Sequence, residues 1–362
     1  MSPRIGSIDT ARFLAIVLVF YGHLVDQVMY LDNAAAALQY KWVYSFHMPL
    51  FYLLSGVVHN EQRLTLGWGA ILARILRGRL VPYAVFALLP AALALAGVPG
   101  WFPTIDLSGL DGYVAGLIST ARGLPAFNIP LWFLASLVAL ELLHRLIGGL
   151  WRSNRALVAG IIGFYALGYG FNRIVDVLAA DLIMWMAHVV PLGYAFYLTG
   201  ILIRRSGLLE RTYSTRAVAM AALACLVTVT LTFDLNTGPF RLLDVVVMMF
   251  GTVGHPLLFP LTALAGSALV ILVARLMPAW QGLQYLGAIT LVIYCLHGFF
   301  YHFVNAPLAA WMNTALPVET GWVLGLSSAV AVALSVAVAA AGAMAIQRFA
   351  PVLGGGRRRQ AP

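Results

Sequence analysis

Arg12-Phe13-Leu14-Ala15-Ile16-Val17-Leu18-Val19-Phe20-Tyr21-Gly22-His23 is the stretch from which the fold is read. Ten residues without a charge at neutral pH separate a guanidinium from an imidazole. On a helix, eleven positions bring a side chain back to within about 20° of its starting direction, about 16 Å further along the axis. Arg12 and His23 therefore share a face at different depths. In a helix that crosses a bilayer, Arg12 stands at the entrance and His23 well inside the apolar slab, where an ionisable group is a functional hypothesis by default.

The rest of the chain fits a membrane setting. Of its 362 residues, 62% are hydrophobic and only 10% charged, with a mean hydropathy of +0.90. No water-soluble domain has that balance. The expected fold is all-α: a polytopic transmembrane helical bundle forming one integral domain over residues 1–350, with a basic, disordered tail over 351–362. Ten stretches are long and apolar enough to span a hydrocarbon core of roughly 30 Å. They lie near 12–31, 41–59, 80–98, 130–150, 156–172, 183–203, 216–233, 256–277, 285–304 and 322–346. Residues 240–255 are also apolar but are interrupted by Asp244, Gly251 and Gly254, as expected of an interfacial or re-entrant segment.

The formal charge of +9 would suggest a nucleic-acid partner in a soluble protein. Here the basic residues sort by loop. With the N-terminus in the cytoplasm, eighteen Lys and Arg residues fall on the inner side, against Lys41, Arg122, Arg173 and Arg241 outside. That asymmetry obeys the positive-inside rule, so both termini are expected in the cytoplasm and no nucleic acid is implied. The tail arginines Arg357, Arg358 and Arg359 would face the anionic inner leaflet. The first span differs from a cleaved signal, because it is longer than the usual 7–15 apolar residues and carries both His23 and Asp26. Cys225 and Cys295 lie inside apolar runs and read as small hydrophobes. The loop from Pro99 to Pro130, with Trp101, Phe102 and Tyr113, is too long for a tight turn; it suits a segment lying on the membrane surface or capping a cavity.

Two groups of residues can carry chemistry. A neutral imidazole at His23 can act as a general base, and Asp26, three residues on, can hold its ring in one tautomer. The competing reading is that His23 hydrogen-bonds a neighbouring helix for packing alone. Arg74, Arg77 and Arg79 place three guanidiniums within six residues, a plausible bidentate grip on phosphate, although topology alone also accounts for them. Histidines recur at apolar positions as His47, His188, His255, His297 and His302, none with the spacing of a metal site. No Walker loop, GxGxxG or GxSxG occurs.

These motifs resemble the membrane acyltransferase 3 family. The opening Ile8-Asp9-Thr10-Ala11-Arg12, followed ten residues later by His23, is similar to the family's signature of a basic residue, ten positions and a histidine. Phe46-His47-Met48-Pro49, running on to Ser55-Gly56, resembles its second-span motif and in particular the fucose 4-O-acetylase-like branch. Arg74-x-x-Arg77 with Arg79, then Pro130-Leu131-Trp132, then Tyr294-x-x-His297, follow in the family's order. Tyr52 stands where a Phe is usual, and no soluble hydrolase-like domain follows the tenth span, which leads us to expect a stand-alone transferase or one with a separate partner.

The resemblance implies transfer of an acyl group, acetyl above all, from cytoplasmic acetyl-CoA or another short acyl-CoA to a sugar hydroxyl of a cell-surface or exported glycan or glycolipid. His23 would be catalytic with Asp26 beside it. Arg12, Arg74, Arg77 and Arg79 would receive the coenzyme phosphates, while Asp9, His47, Ser55, Trp132 and His297 would bind substrate or support the site. No metal is implied, and the expected setting is multi-pass in a bacterial inner membrane, alone or beside polysaccharide biosynthesis proteins. A transporter or flippase for a glycan precursor is the rival from another class, with His23, Asp26 and His47 lining a path. A non-catalytic scaffold is the third.

Overall fold

The apolar runs fold as helices. The computed structural model describes residues 5–240 and 243–354, so Arg241 and the basic tail from residue 355, with Arg357, Arg358 and Arg359, lie outside the described residues. The described residues contain fifteen α-helices and no strand, only one isolated bridge between Val247 and Thr252. In chain order they are α1 (Gly6–Met29), α2 (Ala34–Tyr44), α3 (His47–Val57), α4 (Trp68–Ile75), α5 (Val81–Leu95), α6 (Leu110–Ala121), α7 (Trp132–Ile147) and α8 (Asn154–Ile174). Then follow α9 (Val190–Arg205), α10 (Thr215–Thr232), α11 (Leu258–Leu276), α12 (Gln281–Ala288), α13 (Thr290–Phe299), α14 (Asn305–Ala315) and α15 (Gly321–Phe349). Asn33, Ser153 and Ser214 cap α2, α8 and α10, each side-chain oxygen accepting a backbone N–H of the first turn.

Eight helical runs among the described residues are long and apolar enough to cross a bilayer: α1, Trp68–Leu95, Ile129–Leu150, α8, α10, α11, Thr290–Ala315 and α15. The chain is an all-α polytopic membrane protein. The second and sixth sequence spans, 41–59 and 183–203, take a different form. The former is divided between α2 and α3, and the latter is the 16-residue α9. Pro49 explains the division. Its ring would cost a continuous helix a hydrogen bond and a clash, and restarting the helix at His47 places Pro49 in the first turn, where its missing N–H does no harm. At 11 and 16 residues, α3 and α9 reach only about 16 and 24 Å. Both are buried among other helices, so lipid does not dictate their length.

Close backbone approach sets the packing of this pair. A Cβ on Gly56 would strike the carbonyl oxygen of Tyr197, and one on Gly200 the carbonyl oxygen of Leu53. Without a hydrophobic drive between helices in lipid, contact of this kind supplies the association. α1 lies at the centre, against α2, α3, α11, α12, α14 and α15. Its two ends thereby meet different neighbours.

From Val245 to Gly254 the chain is apolar, buried apart from half-buried Phe250, and mostly non-helical, in keeping with the interruption read from Gly251 and Gly254. Its backbone polar groups are met by side chains. His188 Nε2–H donates to the Met249 carbonyl at 2.8 Å, Tyr169 to that of Gly254 at 2.8 Å, and the Val247 N–H to Thr252 Oγ1 at 2.7 Å. Buried irregular backbone requires such partners.

Candidate active site

The two chemical groups expected from the sequence lie at two levels of α1. His23 and Asp26 sit on successive turns, with His23 Nδ1 3.6 Å from Asp26 Oδ2. The Tyr44 hydroxyl, brought in by α2, is 3.3 Å from the same Nδ1. A carboxylate facing Nδ1 favours the tautomer with its hydrogen there, which leaves the lone pair on Nε2. The rings of His297 and Tyr301 each approach the His23 ring with centroids 4.9 Å apart. Asn305 Nδ2 donates to the His23 carbonyl at 3.1 Å and ties this turn to α14. His47 joins at one remove: its ring packs on Tyr44 at 4.5 Å, and its Nδ1–H donates to the Val43 carbonyl at 3.1 Å.

Eleven residues earlier, Arg12 lies beside a cavity of about 170 Å³. Arg74, Arg79 and Arg145 share its wall with Ser55, His59, Glu141, His144, Tyr197 and Tyr294. Asp9 holds Arg12 across one turn at 3.6 Å, as expected from their spacing, and Glu141 accepts from Arg79 Nη2 at 2.8 Å. Phe51, Leu54, Phe133, Leu134 and Leu137 make the remainder apolar. Such a cavity can receive a polyanion at its cationic wall and a flexible, weakly polar chain along the other.

Arg77 differs from its sequence expectation. It is exposed and is not among the residues lining the cavity, although Arg74 and Arg79 are. The local backbone explains this. Residues Leu76–Leu80 form a π turn joining α4 to α5 in one continuous run. Five positions along a regular α-helix differ by about 140°, but the extra residue of a π turn removes about 100° of that and swings Arg79 toward the face of Arg74. A second π turn, Phe300–Val304, carries Tyr301 toward His23 and His302 toward the loop. There His302 Nδ1–H donates to the Trp101 carbonyl at 2.7 Å, and the Trp101 N–H returns a bond to the His302 carbonyl at 2.7 Å. The long loop is thus latched beside the His23 cluster, with Trp101 against Tyr301 at 5.3 Å. Trp132 is buried at the start of α7, edge-on to Phe133, and stands behind the cavity wall rather than on it.

Sequence reading passed over a third set. His59 Nε2 and His144 Nε2 are 3.3 Å apart, and the Tyr197 hydroxyl is 2.6 Å from His59 Nδ1. His144 Nδ1 meets the Tyr194 hydroxyl at 2.8 Å, and Trp151 Nε1–H donates to that hydroxyl at 2.7 Å. Of this chain, His59, His144 and Tyr197 line the cavity. Its members are scattered over the segment after α3 (His59), α7 (His144), the stretch between α7 and α8 (Trp151) and α9 (Tyr194 and Tyr197), and only the adjacency of His144 to Arg145 hinted at it.

Comparison with known proteins bears on the family of the chain. The family model described as "Acyltransferase domain" matches residues 5–342. The chain is 30% identical over 146 residues to the "Nodulation protein NolL" of Sinorhizobium fredii (strain NBRC 101917 / NGR234), a match covering 38% of this chain and 35% of that protein. No solved structure shows significant similarity. With the family model running from the residue before α1 into the last turns of α15, the chain belongs to the membrane acyltransferase 3 family.

Proposed function

We propose that this membrane acyltransferase takes a short acyl group, acetyl above all, from cytoplasmic acyl-CoA and transfers it to a sugar hydroxyl of a surface or exported glycan or glycolipid, in a bacterial inner membrane. One observation carries the reading. Arg12, Arg74, Arg79 and Arg145 converge on a cavity at one end of α1, and a histidine with a carboxylate at Nδ1 stands on the same helix about 16 Å further on. Guanidiniums suit the phosphates of coenzyme A, and the apolar wall suits its pantetheine arm. His23 Nε2 is then placed to take the proton of the attacking hydroxyl, or to attack the thioester itself.

The test is acetyl transfer from radiolabelled acetyl-CoA to membrane glycan, in membranes carrying matched amounts of wild type, His23→Ala or Arg12→Ala. Loss of transfer in His23→Ala with coenzyme binding retained, and weakened coenzyme binding in Arg12→Ala, supports the reading. Full acylation by both variants overturns it in favour of a transporter or scaffold.

A further inference from the structure

His297 is fully buried, and neither of its ring nitrogens has a hydrogen-bond partner. Its surroundings are aromatic: the Phe20 ring meets it edge-on at 4.7 Å, and the His23 ring lies 4.9 Å away. A buried donor and acceptor left unmatched is destabilising, and nearly all buried polar atoms in folded proteins avoid it. One turn back on the same helix, Tyr294 lines the arginine cavity. His297 therefore lies one turn beyond the cavity wall and against the His23 ring, between the two groups that the transferase reading links. The neighbouring Asp26 Oδ1 is also buried without a partner.

Resting on the transferase reading above, we propose that the His297 N–H is the oxyanion donor of the reaction. As the acceptor hydroxyl oxygen bonds to the thioester carbon, its proton passes to His23 Nε2 and the carbonyl π pair moves onto oxygen. His297 donates a hydrogen bond to that oxyanion and keeps its proton. The pair then returns, the carbon–sulfur bond breaks, and the coenzyme thiolate takes the proton from His23. If His23 attacks first, the same donor serves each of the two tetrahedral adducts. A neutral imidazole in an apolar shell suits this task, because a donor fixed in a site without competing water acts far more strongly than one in solution.

The test compares His297→Leu, which is close in volume and has no polar atom, with His297→Gln, which keeps an N–H donor. Acetyl transfer from radiolabelled acetyl-CoA to membrane glycan is followed alongside the Tm of each purified protein. The expected result for His297→Leu is a maximal rate lower by about 100-fold or more with the half-saturating acetyl-CoA concentration nearly unchanged. Its Tm should rise by about 2 °C or more, since an unmatched buried group has gone. His297→Gln should regain at least about tenfold of the lost rate. A structural histidine predicts the opposite, a fall in Tm and equal loss in both variants. That result, or a His297→Leu rate near that of wild type, overturns the assignment while leaving the transferase reading intact. A wild type that transfers no acetyl group overturns both.

Discussion

Asp26 Oδ2 lies 3.6 Å from His23 Nδ1 on the next turn of one helix, with 5% of the Asp26 side chain and 15% of that of His23 exposed. A carboxylate so deep is unfavourable unless something holds it. Its value lies in orientation: it fixes the imidazole hydrogen on Nδ1, so that Nε2 keeps its lone pair.

Asp26→Asn tests that role with almost no change of shape. The amide can present its N–H to Nδ1 and so favour the other tautomer. Acyl transfer should fall by about 100-fold or more, while the half-saturating acyl-CoA concentration stays within about twofold, because the cavity residues are untouched. Steady-state kinetics at matched expression reads both quantities. A variant that loses coenzyme affinity instead would place Asp26 in the binding site.

The arginines should separate by position rather than by charge. Arg74→Ala and Arg79→Ala each remove a guanidinium from the cavity wall and should weaken binding of coenzyme A by about tenfold. Arg77→Ala should change it by less than about twofold at physiological ionic strength, since exposed charges off the cavity are screened. Glu141→Gln should tighten binding, because it releases Arg79 from its 2.8 Å ion pair. Calorimetric titration of purified protein with coenzyme A gives all four values. Equal effects at Arg74, Arg77 and Arg79 would return the cluster to a topology signal.

Much of this arrangement is legible in the sequence, and the limits are physical. The placing of Arg12 and His23 on one face follows from helix geometry, and Asp9 and Asp26 follow from spacings of three. The second span does not form an unbroken crossing, because Pro49 favours a new helix start two residues upstream and burial removes the need for a full-length helix. The inward turn of Arg79 and the outward place of Arg77 depend on a π turn, which hydrophobic periodicity does not reveal. Glu141 and His144 on α7, Tyr197 on α9 and His59 in the segment after α3 meet across the fold, and no local pattern encodes a contact between distant segments.

The seam between α3 and α9 should tolerate no side chain. Gly56→Ala and Gly200→Ala each push a methyl group into a backbone carbonyl of the facing helix, which has no rotamer with which to move aside. Each should lower stability by about 1–3 kcal/mol. Gly56→Ala should also weaken coenzyme binding, since the carbonyl it displaces belongs to Tyr197 on the cavity wall. Thermal unfolding in detergent and coenzyme titration separate the two effects. Unchanged Tm in both variants would mean that the helices are free to part.

The bond between His59 and His144 predicts a coupling with a definite sign. Two neutral imidazoles facing each other through Nε2 must adopt opposite tautomers, one donating and one accepting, at 3.3 Å. His59→Phe or His144→Phe alone leaves the other Nε2 without its partner and should lower stability by about 1–3 kcal/mol. Changing both removes donor and acceptor together. The double variant should therefore be clearly more stable than the sum of the single losses predicts. His144 also meets Tyr194, and His59 meets Tyr197, so each single change has a second, independent loss that the cycle cancels. Strict additivity in denaturation of the four proteins would show that the two rings merely touch; a shortfall of the double loss would show that the bond holds the segment after α3 to α7 at the cavity wall.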